Sequence, residues 1–208
     1  MKIQIKRFSL LILVIAFLSL GVCAQSESSI PTNFTTYIDE TNLFSISYPA
    51  NWEPAFSIIE SLKQETDNYM NSIDEKGSLE KSNIVFFGGI PLDSGYYNPN
   101  VSILVEPLGD DNVMKLEDIV EGLVREYKRV AEEYREFSRT KTSIDGRKAI
   151  ILDFEARYPN FVLLHCLVMV TVIDKFGWAT TCGTCPPLNF YDFKDDLYAI
   201  VKSFKKLK

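Results

Sequence analysis

The chain has 208 residues, 46% of them hydrophobic and 24% charged, with a formal net charge of −6 and a single histidine. That acidic balance excludes phosphate-tracking nucleic-acid binding, which needs clustered Lys and Arg, and argues against adsorption to an anionic membrane surface by charge alone. The length suits one domain with a core large enough to fold without disulfides.

The N-terminus has the pattern of an export signal. Lys2, Lys6 and Arg7 precede the uncharged apolar run Leu10–Leu20, which is short for a bilayer span and is followed by small residues. The exit Gly21-Val22-Cys23-Ala24-Gln25 reads in two ways. Val22 and Ala24 suit cleavage before Gln25, which makes 1–24 a signal peptide. Leu20-Gly21-Val22-Cys23 instead resembles a lipobox with Cys23 lipidated, although Val22 stands where Gly, Ala or Ser is usual. Both readings place the mature domain outside the cytoplasm, secreted or lipid-anchored. Loss of Lys2, Lys6 and Arg7 takes the net charge from −6 to −9.

Residues 25–36 are polar and Ser/Thr-rich, the composition of a flexible tether, and 37–208 reads as a single domain. Tyr37–Asp39 and Phe44–Tyr48 are predicted strands around an Asp39–Asn42 turn, the second alternating strictly. Pro54–Ile73 is a predicted helix, with Ile58, Leu62, Tyr69 and Ile73 on one face. Asn83–Phe87 and Val101–Glu106 read as strands. Between them runs the Gly-, Pro- and Asn-rich loop Gly88–Asn100, which carries Tyr96 and Tyr97.

Leu116–Phe137 has the clearest helical stripe, from Leu116 through Val120, Leu123, Tyr127 and Val130 to Tyr134. Glu121–Arg125, Lys128–Glu132 and Arg129–Glu133 lie at i, i+4 on the opposite face. Ser138–Ile144 then leads into an Asp145-Gly146 turn, a strong hairpin signal, followed by strands at Ala149–Tyr158, Phe161–Ile173 and Trp178–Cys182. Phe161–Ile173 is interrupted by His165 and Thr171, so it reads as a buried strand, and no segment of the mature chain reads as a membrane span. A helix carrying Phe193, Leu197, Ile200, Val201 and Phe204 closes the chain, with Lys202, Lys205, Lys206 and Lys208 at its negative end. This order describes an α+β fold of α/β/α sandwich type, a central antiparallel sheet with helices packed on its faces.

Several segments in this order resemble the PsbP-like domain family. "NLFSISYPANWEP" (42–54) is similar to the family's opening strand, proline and tryptophan. "NVSILVEPLG" (100–109) resembles its next strand and "LEDIVEGLVREYKRV" (116–130) its long helix. "IDGRKAIILDFEA" (144–156) resembles its hairpin, and "VMVTVIDKFGWATTC" with "YAIVKSFKKL" its last hairpin and closing helix. The family includes extrinsic subunits of photosystem II, a Ran-binding import factor and many bacterial exported proteins and lipoproteins. The resemblance implies the fold and an extracytoplasmic habit, and it carries no catalytic motif. Ser57–Ser82 departs from the pattern as an insertion, and the cysteines are not a family feature.

The sharpest local motif is Cys182-Gly183-Thr184-Cys185. A reactive CxxC sits early in a thioredoxin fold, on the first turn of a helix that lowers the thiol pKa. Here Pro186-Pro187 intervenes, and only Pro186–Lys208 follows. The expected role is therefore structural: a disulfide among Cys166, Cys182 and Cys185, or inert thiols, with a thiol–disulfide redox protein as the alternative function. A two-residue turn at Lys175-Phe176 sets Cys166 opposite Cys185. A bulge would bring Cys182 to Cys166, and Cys182–Cys185 would close a short ring.

No metal site is expected, since His165 and its neighbour Cys166 point to opposite faces and too few ligands converge. No hydrolase elbow, zincin, P-loop or dinucleotide motif occurs, and no cofactor is implied. Asn33-Phe34-Thr35 and Asn100-Val101-Ser102 match glycosylation sequons. Tyr96 and Tyr97 form a candidate binding loop, or fold back onto the sheet edge. The leading expectation is a non-enzymatic exported module that engages a protein partner at the cell envelope through the sheet edge or this loop.

Overall fold

The structure is a computed structural model that describes residues 34–57, 59–61, 64, 84–90, 99–107, 115–159, 162–174 and 177–207. Its spine is a seven-stranded antiparallel sheet in the order β3-β4-β5-β9-β8-β7-β6. The strands are β3 (Glu53–Pro54), β4 (Ile84–Gly89), β5 (Asn100–Pro107), β6 (Glu133–Ile144), β7 (Arg147–Arg157), β8 (Leu163–Asp174) and β9 (Gly177–Cys185). A smaller sheet joins β1 (Phe34–Asp39), β2 (Phe44–Pro49) and β10 (Lys205–Lys206) in the order β1-β2-β10.

Alternation along the central strands makes two cores. Even-numbered residues of β7, β8 and β9 (Ile150, Leu152, Phe154, Cys166, Val168, Cys182) pack under α1 (Leu116–Val130). Odd-numbered ones (Ile151, Leu167, Met169, Cys185) pack under α2 (Phe190–Lys202), together with Phe44, Ile46 and Phe204 of the small sheet region. The molecule is therefore the layered α+β arrangement predicted, with α1 on one face of the sheet and α2 on the other. Among the described residues no helix is long and apolar enough to cross a membrane.

The predicted stripe of α1 is buried from Leu116 to Val130, with Glu117 and Asp118 in its first turn and Lys128 and Arg129 in its last. The helix stops seven residues short of Phe137. Ala131 is extended, and Glu132 N–H donates to Arg157 C=O at 2.8 Å, so the chain joins the sheet. Pairing of Glu133–Glu136 with β7 replaces the intrahelical bonds, and Tyr134 keeps its core contact from a strand, its ring tilted against Phe154 at 5.1 Å. The expected i, i+4 ion pairs give way to others: Arg129–Glu126, Arg157–Glu133 and Arg139–Glu121.

β1 begins at Phe34, so Phe34–Thr36 of the expected tether pair with Ser47–Pro49 of β2. Asp39 closes the turn between them, accepting from the N–H of Thr41 at 2.9 Å and of Asn42 at 2.8 Å. Of the predicted helix from Pro54, residues 56, 57, 59–61 and 64 are helical, and Ile59 is buried against the α1 core. The rest of that helix lies outside the described residues, as do Cys23 and Asn33.

The register of the large sheet shifts at three places among the described residues, between Ile84 and Phe86 on β4, between Val172 and Asp174 on β8, and between Glu136 and Ser138 on β6. Asp174 pairs with Gly177, but past Ile173 the register shifts and Val172 pairs with Trp178. A one-residue shift exchanges faces. On β6 the extra residue is Phe137, between Glu136 opposite Phe154 and Ser138 opposite Asp153.

Gly183 explains the small residue inside the CxxC. A Cβ there would lie 2.9 Å from Leu197 Cδ2, so glycine lets α2 close onto β9. Gly183→Ala meets only the end of a flexible side chain and is expected to be mild. Gly183→Val adds branches at the contact and is expected to lower stability by about 1–3 kcal/mol in urea titrations.

Candidate functional site at the start of α2

The structure brings no two of Cys166, Cys182 and Cys185 together as a disulfide. All three are free and buried. The Ile173 bulge sets Cys185 opposite His165 and Cys166 opposite Thr184, so the expected Cys166–Cys185 pairing is not the one formed. Cys182 and Cys185, three residues apart on an extended strand, face different cores, Cys182 under α1 and Cys185 under α2. Cys166 and Cys182 share a face, but Cys182 pairs with Val168, so the two are diagonal neighbours about 7–8 Å apart between Cα atoms, beyond easy bridging.

Burial pushes the thiols of Cys182 and Cys185 up to about 12, the latter helped by Asp192, and raises Cys166 well above its ordinary value. A thiolate at neutral pH, the species a redox exchange needs, is disfavoured at every one of them.

What the structure assembles instead is a cluster around His165. The register aligns Arg135 of β6, Glu155 of β7, His165 of β8 and Cys185 of β9 in one cross-strand row on the α2 face. His165 Nε2 lies 2.6 Å from Asp153 Oδ1, and Nδ1 faces Glu155 Oε1 at 3.6 Å. Tyr198 of α2 donates to Asp153 Oδ2 at 3.4 Å, and burial followed by Asp153 raises the Tyr198 pKa.

The imidazole is also sandwiched. Phe190, the first residue of α2, stacks on one side at 3.4 Å between centroids, and Phe137 of the bulge stacks on the other at 5.3 Å. Arg135 lies over the outer face of Phe137 at 4.7 Å, a cation–π contact.

Cys185 opposite His165 invites a thiol–imidazole reading. Both ring nitrogens face carboxylates, however, so neither is directed at the thiol, and the geometry of a nucleophile with its base is missing. The arrangement works as a clamp that joins β6, β7, β8 and α2. Among the described residues no group of His, Cys, Asp and Glu side chains could hold a metal ion.

Around the clamp, apolar side chains reach solvent. Leu188, in the 3₁₀ turn Pro187–Asn189, is 86% exposed and Tyr191 is 85% exposed; Val162 and Phe137 are partly exposed nearby. Tyr191 meets Phe190 edge-on at 6.1 Å. Leu188 and Tyr191 are the most exposed large hydrophobic side chains among the described residues, and they stand three positions apart on either side of Phe190.

Tyr96 and Tyr97 lie outside the described residues, but both ends of their loop are placed. Ile90 N–H donates to Pro99 C=O at 3.2 Å, one step beyond the Asn100–Thr184 pair, at the end of the sheet that carries Cys185 and His165. Asn100 itself is buried and accepts from Thr184 Oγ1 at 3.0 Å, so its sequon presents no accessible amide. Sequence reasoning identified Cys185 and His165 but missed their neighbours, because Asp153, Glu155 and Phe190 meet His165 only through register. The one available signal was an Asp and a Glu inside the otherwise apolar stretch Ala149–Ala156 of β7.

The fold, with this clamp between its sheet and α2, is an antiparallel α+β domain. The PsbP family model matches residues 32–206, and the chain belongs to that family. Among solved structures it is similar to cyanobacterial PsbP (CyanoP) from Synechocystis, at 15% identity and a TM-score of 0.55, covering 90% of this chain and 98% of that one. It is also similar to LpqN, described as involved in cell envelope biogenesis of Mycobacterium tuberculosis, at 11% identity and a TM-score of 0.56, covering 85% and 91%. At these identities the likeness establishes the fold. No curated protein matches the sequence significantly.

The thiols are expected to resist alkylation in the native chain across the range where an exposed cysteine titrates, near about pH 8.5, and to react in denaturant. In unfolded chains these groups ionise from about pH 8.5 upward while the fold retains their protons. The unfolded state then binds fewer protons, so stability is expected to fall as pH rises through this window, measured as a declining urea midpoint.

His165→Leu strands a buried acceptor on Asp153 and is expected to lower stability by about 1–3 kcal/mol. The Asp153→Leu, His165→Leu pair is expected to lose less than the two single changes together, read by a double-mutant cycle.

Proposed function

We propose that this protein is a non-enzymatic, exported accessory module of the cell envelope, and that it engages a protein partner through the surface at the start of α2. The observation that carries the reading is the exposure of Leu188 and Tyr191 directly beside the His165 clamp. Exposed aromatic and aliphatic side chains on a pre-ordered base give a partner contact area with little left to immobilise, which is how binding hot spots are built. The loop bearing Tyr96 and Tyr97 leaves the sheet at the same end and would extend this surface.

Three further points support the reading. PsbP membership brings no catalytic motif with it, and the buried high-pKa thiols give the redox alternative through Cys182 and Cys185 no support. The similar structure of LpqN comes from a protein described as involved in cell envelope biogenesis. The N-terminal signal pattern fits export, with the mature chain either starting at Gln25 or anchored through Cys23.

The test is photo-cross-linking from position 195, exposed one turn further along α2, in the native envelope, compared with the same probe in a Leu188→Glu, Tyr191→Glu double variant. The variant is expected to lose capture of the cross-linked protein while its stability stays within about 0.5 kcal/mol, since both residues are solvent-facing. Undiminished capture by the double variant overturns the assignment of this surface.

A further inference from the structure

Among the described residues, the large hydrophobic side chains that remain exposed fall into two groups. Phe137, Val162, Leu188 and Tyr191 surround the His165 clamp, whereas Phe34, Ile38, Leu43 and Phe56 gather at β1. β1 is the outermost strand of the small sheet. From Phe34 to Ile38 it reads Phe-Thr-Thr-Tyr-Ile, without charge, proline or bulge, and its register with β2 is unbroken.

Of the two edge strands of the large sheet, β3 is only two residues long, and β6 is built in the opposite way to β1. β6 carries the Phe137 bulge, alternates Glu133, Arg135, Glu136, Arg139 and Lys141 along its length, and is tied to α1 through Arg139–Glu121 and Lys141–Glu117. Those are the devices that keep a sheet edge from pairing with another chain, and β1 has none of them. Its outer face holds Phe34, Thr36 and Ile38 in alternation, with Ile38 56% and Phe34 40% exposed.

We infer that β1 pairs with β1 of a second copy of this chain, antiparallel about a twofold axis through Thr36 and normal to the sheet. The strand is self-complementary in that register: Thr36 faces Thr36, and Phe34 and Ile38 of one copy face Ile38 and Phe34 of the other, twice over. A twofold contact of this kind closes on itself and leaves β1 with no edge.

Each copy carries a net charge of −6 over the whole chain, which opposes self-association in general, so a contact between copies has to be made through an uncharged surface; β1 is uncharged up to Asp39. Phe56, whose ring lies 5.2 Å from Tyr37, covers the other side of the joint. The chain that precedes β1 leaves the two copies at opposite ends of the paired strands. With an extended reach of about 3.3–3.6 Å per residue, the segment between Cys23 and Phe34 is long enough for both copies to reach one membrane or to stay free.

Thr36→Cys in the full chain, as processed by the cell, tests the pairing. Directly opposed residues of an antiparallel pair have Cα atoms about 4.5–5.5 Å apart, within disulfide range. The parent chain sets the background from Cys23, and Lys141→Cys on β6 serves as the control edge. Thr36→Cys is expected to give a cross-linked species of twice the chain mass under mild oxidation, and Lys141→Cys to remain at background. The unsubstituted protein is expected to sediment as a dimer, and a folded Ile38→Lys variant as a single chain.

Sedimentation of the parent as a single chain at micromolar concentration, with Thr36→Cys at background, overturns the inference. So does a Thr36→Cys adduct whose mass is not that of two chains, which would assign the edge to a strand of a different protein.

Discussion

From Leu164 to Thr171 every residue of β8 is buried, on both faces of the sheet. A strand with no solvated side has to be covered twice, and each covering element must bring its own apolar stripe. α1 supplies one, through Ile119, Val120, Leu123 and Tyr127, and α2 supplies the other, through Phe193, Leu197, Ile200 and Val201. The chain order follows from the same need: α1 precedes the β6–β9 meander that it covers, and α2 folds back over the meander from the other side. Besides the thiol of Cys166, which stays protonated, the ionisable side chain inside this doubly buried run is His165, and a buried imidazole has to be partnered. Asp153 and Glu155 interrupt the apolar pattern of β7 for that purpose.

Two single-residue irregularities decide what that partnership looks like. The bulge at Ile173 shifts β9 by one residue, which turns Cys185 toward His165 and away from Cys166. The bulge at Phe137 swings an aromatic ring onto the α2 face, where it closes the stack over the imidazole and carries Arg135 with it. Without the first shift, two thiols would stand opposed in the most buried part of the molecule. With it, the thiols are distributed between two cores, and each behaves as a small apolar side chain.

Much of the architecture was legible because its signals are local. The alternation in Phe44–Tyr48, the Asp145-Gly146 turn and the stripe of α1 each specify an element within a few residues. The α1 boundary was not legible. Tyr134 continues the helical stripe in sequence, yet it reaches the same core from a strand, and what ends the helix is the carbonyl of Arg157, which lies far away in the chain. The clamp was illegible for a related reason. His165 and Asp153 are twelve residues apart on different strands, and whether they share a face depends on a register that a single bulge can reverse. The openness of Leu188 and Tyr191 had no sequence signal either, since apolar residues flanking a helix start are ordinarily read as staples for its first turn.

The Cys-Gly-Thr-Cys motif takes its meaning from this arrangement. In β9 its four residues alternate between two cores, so the motif is a strand with a small residue where α2 crosses: Gly183 receives Leu197. The chemistry that a CxxC suggests requires a polarised helix start beside an exposed thiol, and here the start of α2 is occupied by Phe190, stacked on His165. That same stacking leaves the next residues of the turn and helix no core position to fill. Leu188 and Tyr191 project outward because Phe190 has taken the inward place and the clamp fixes the helix in that rotation. The exposed surface is thus a consequence of how the buried histidine is satisfied, and a change that loosens the clamp would alter the outer surface by letting α2 turn about its own axis.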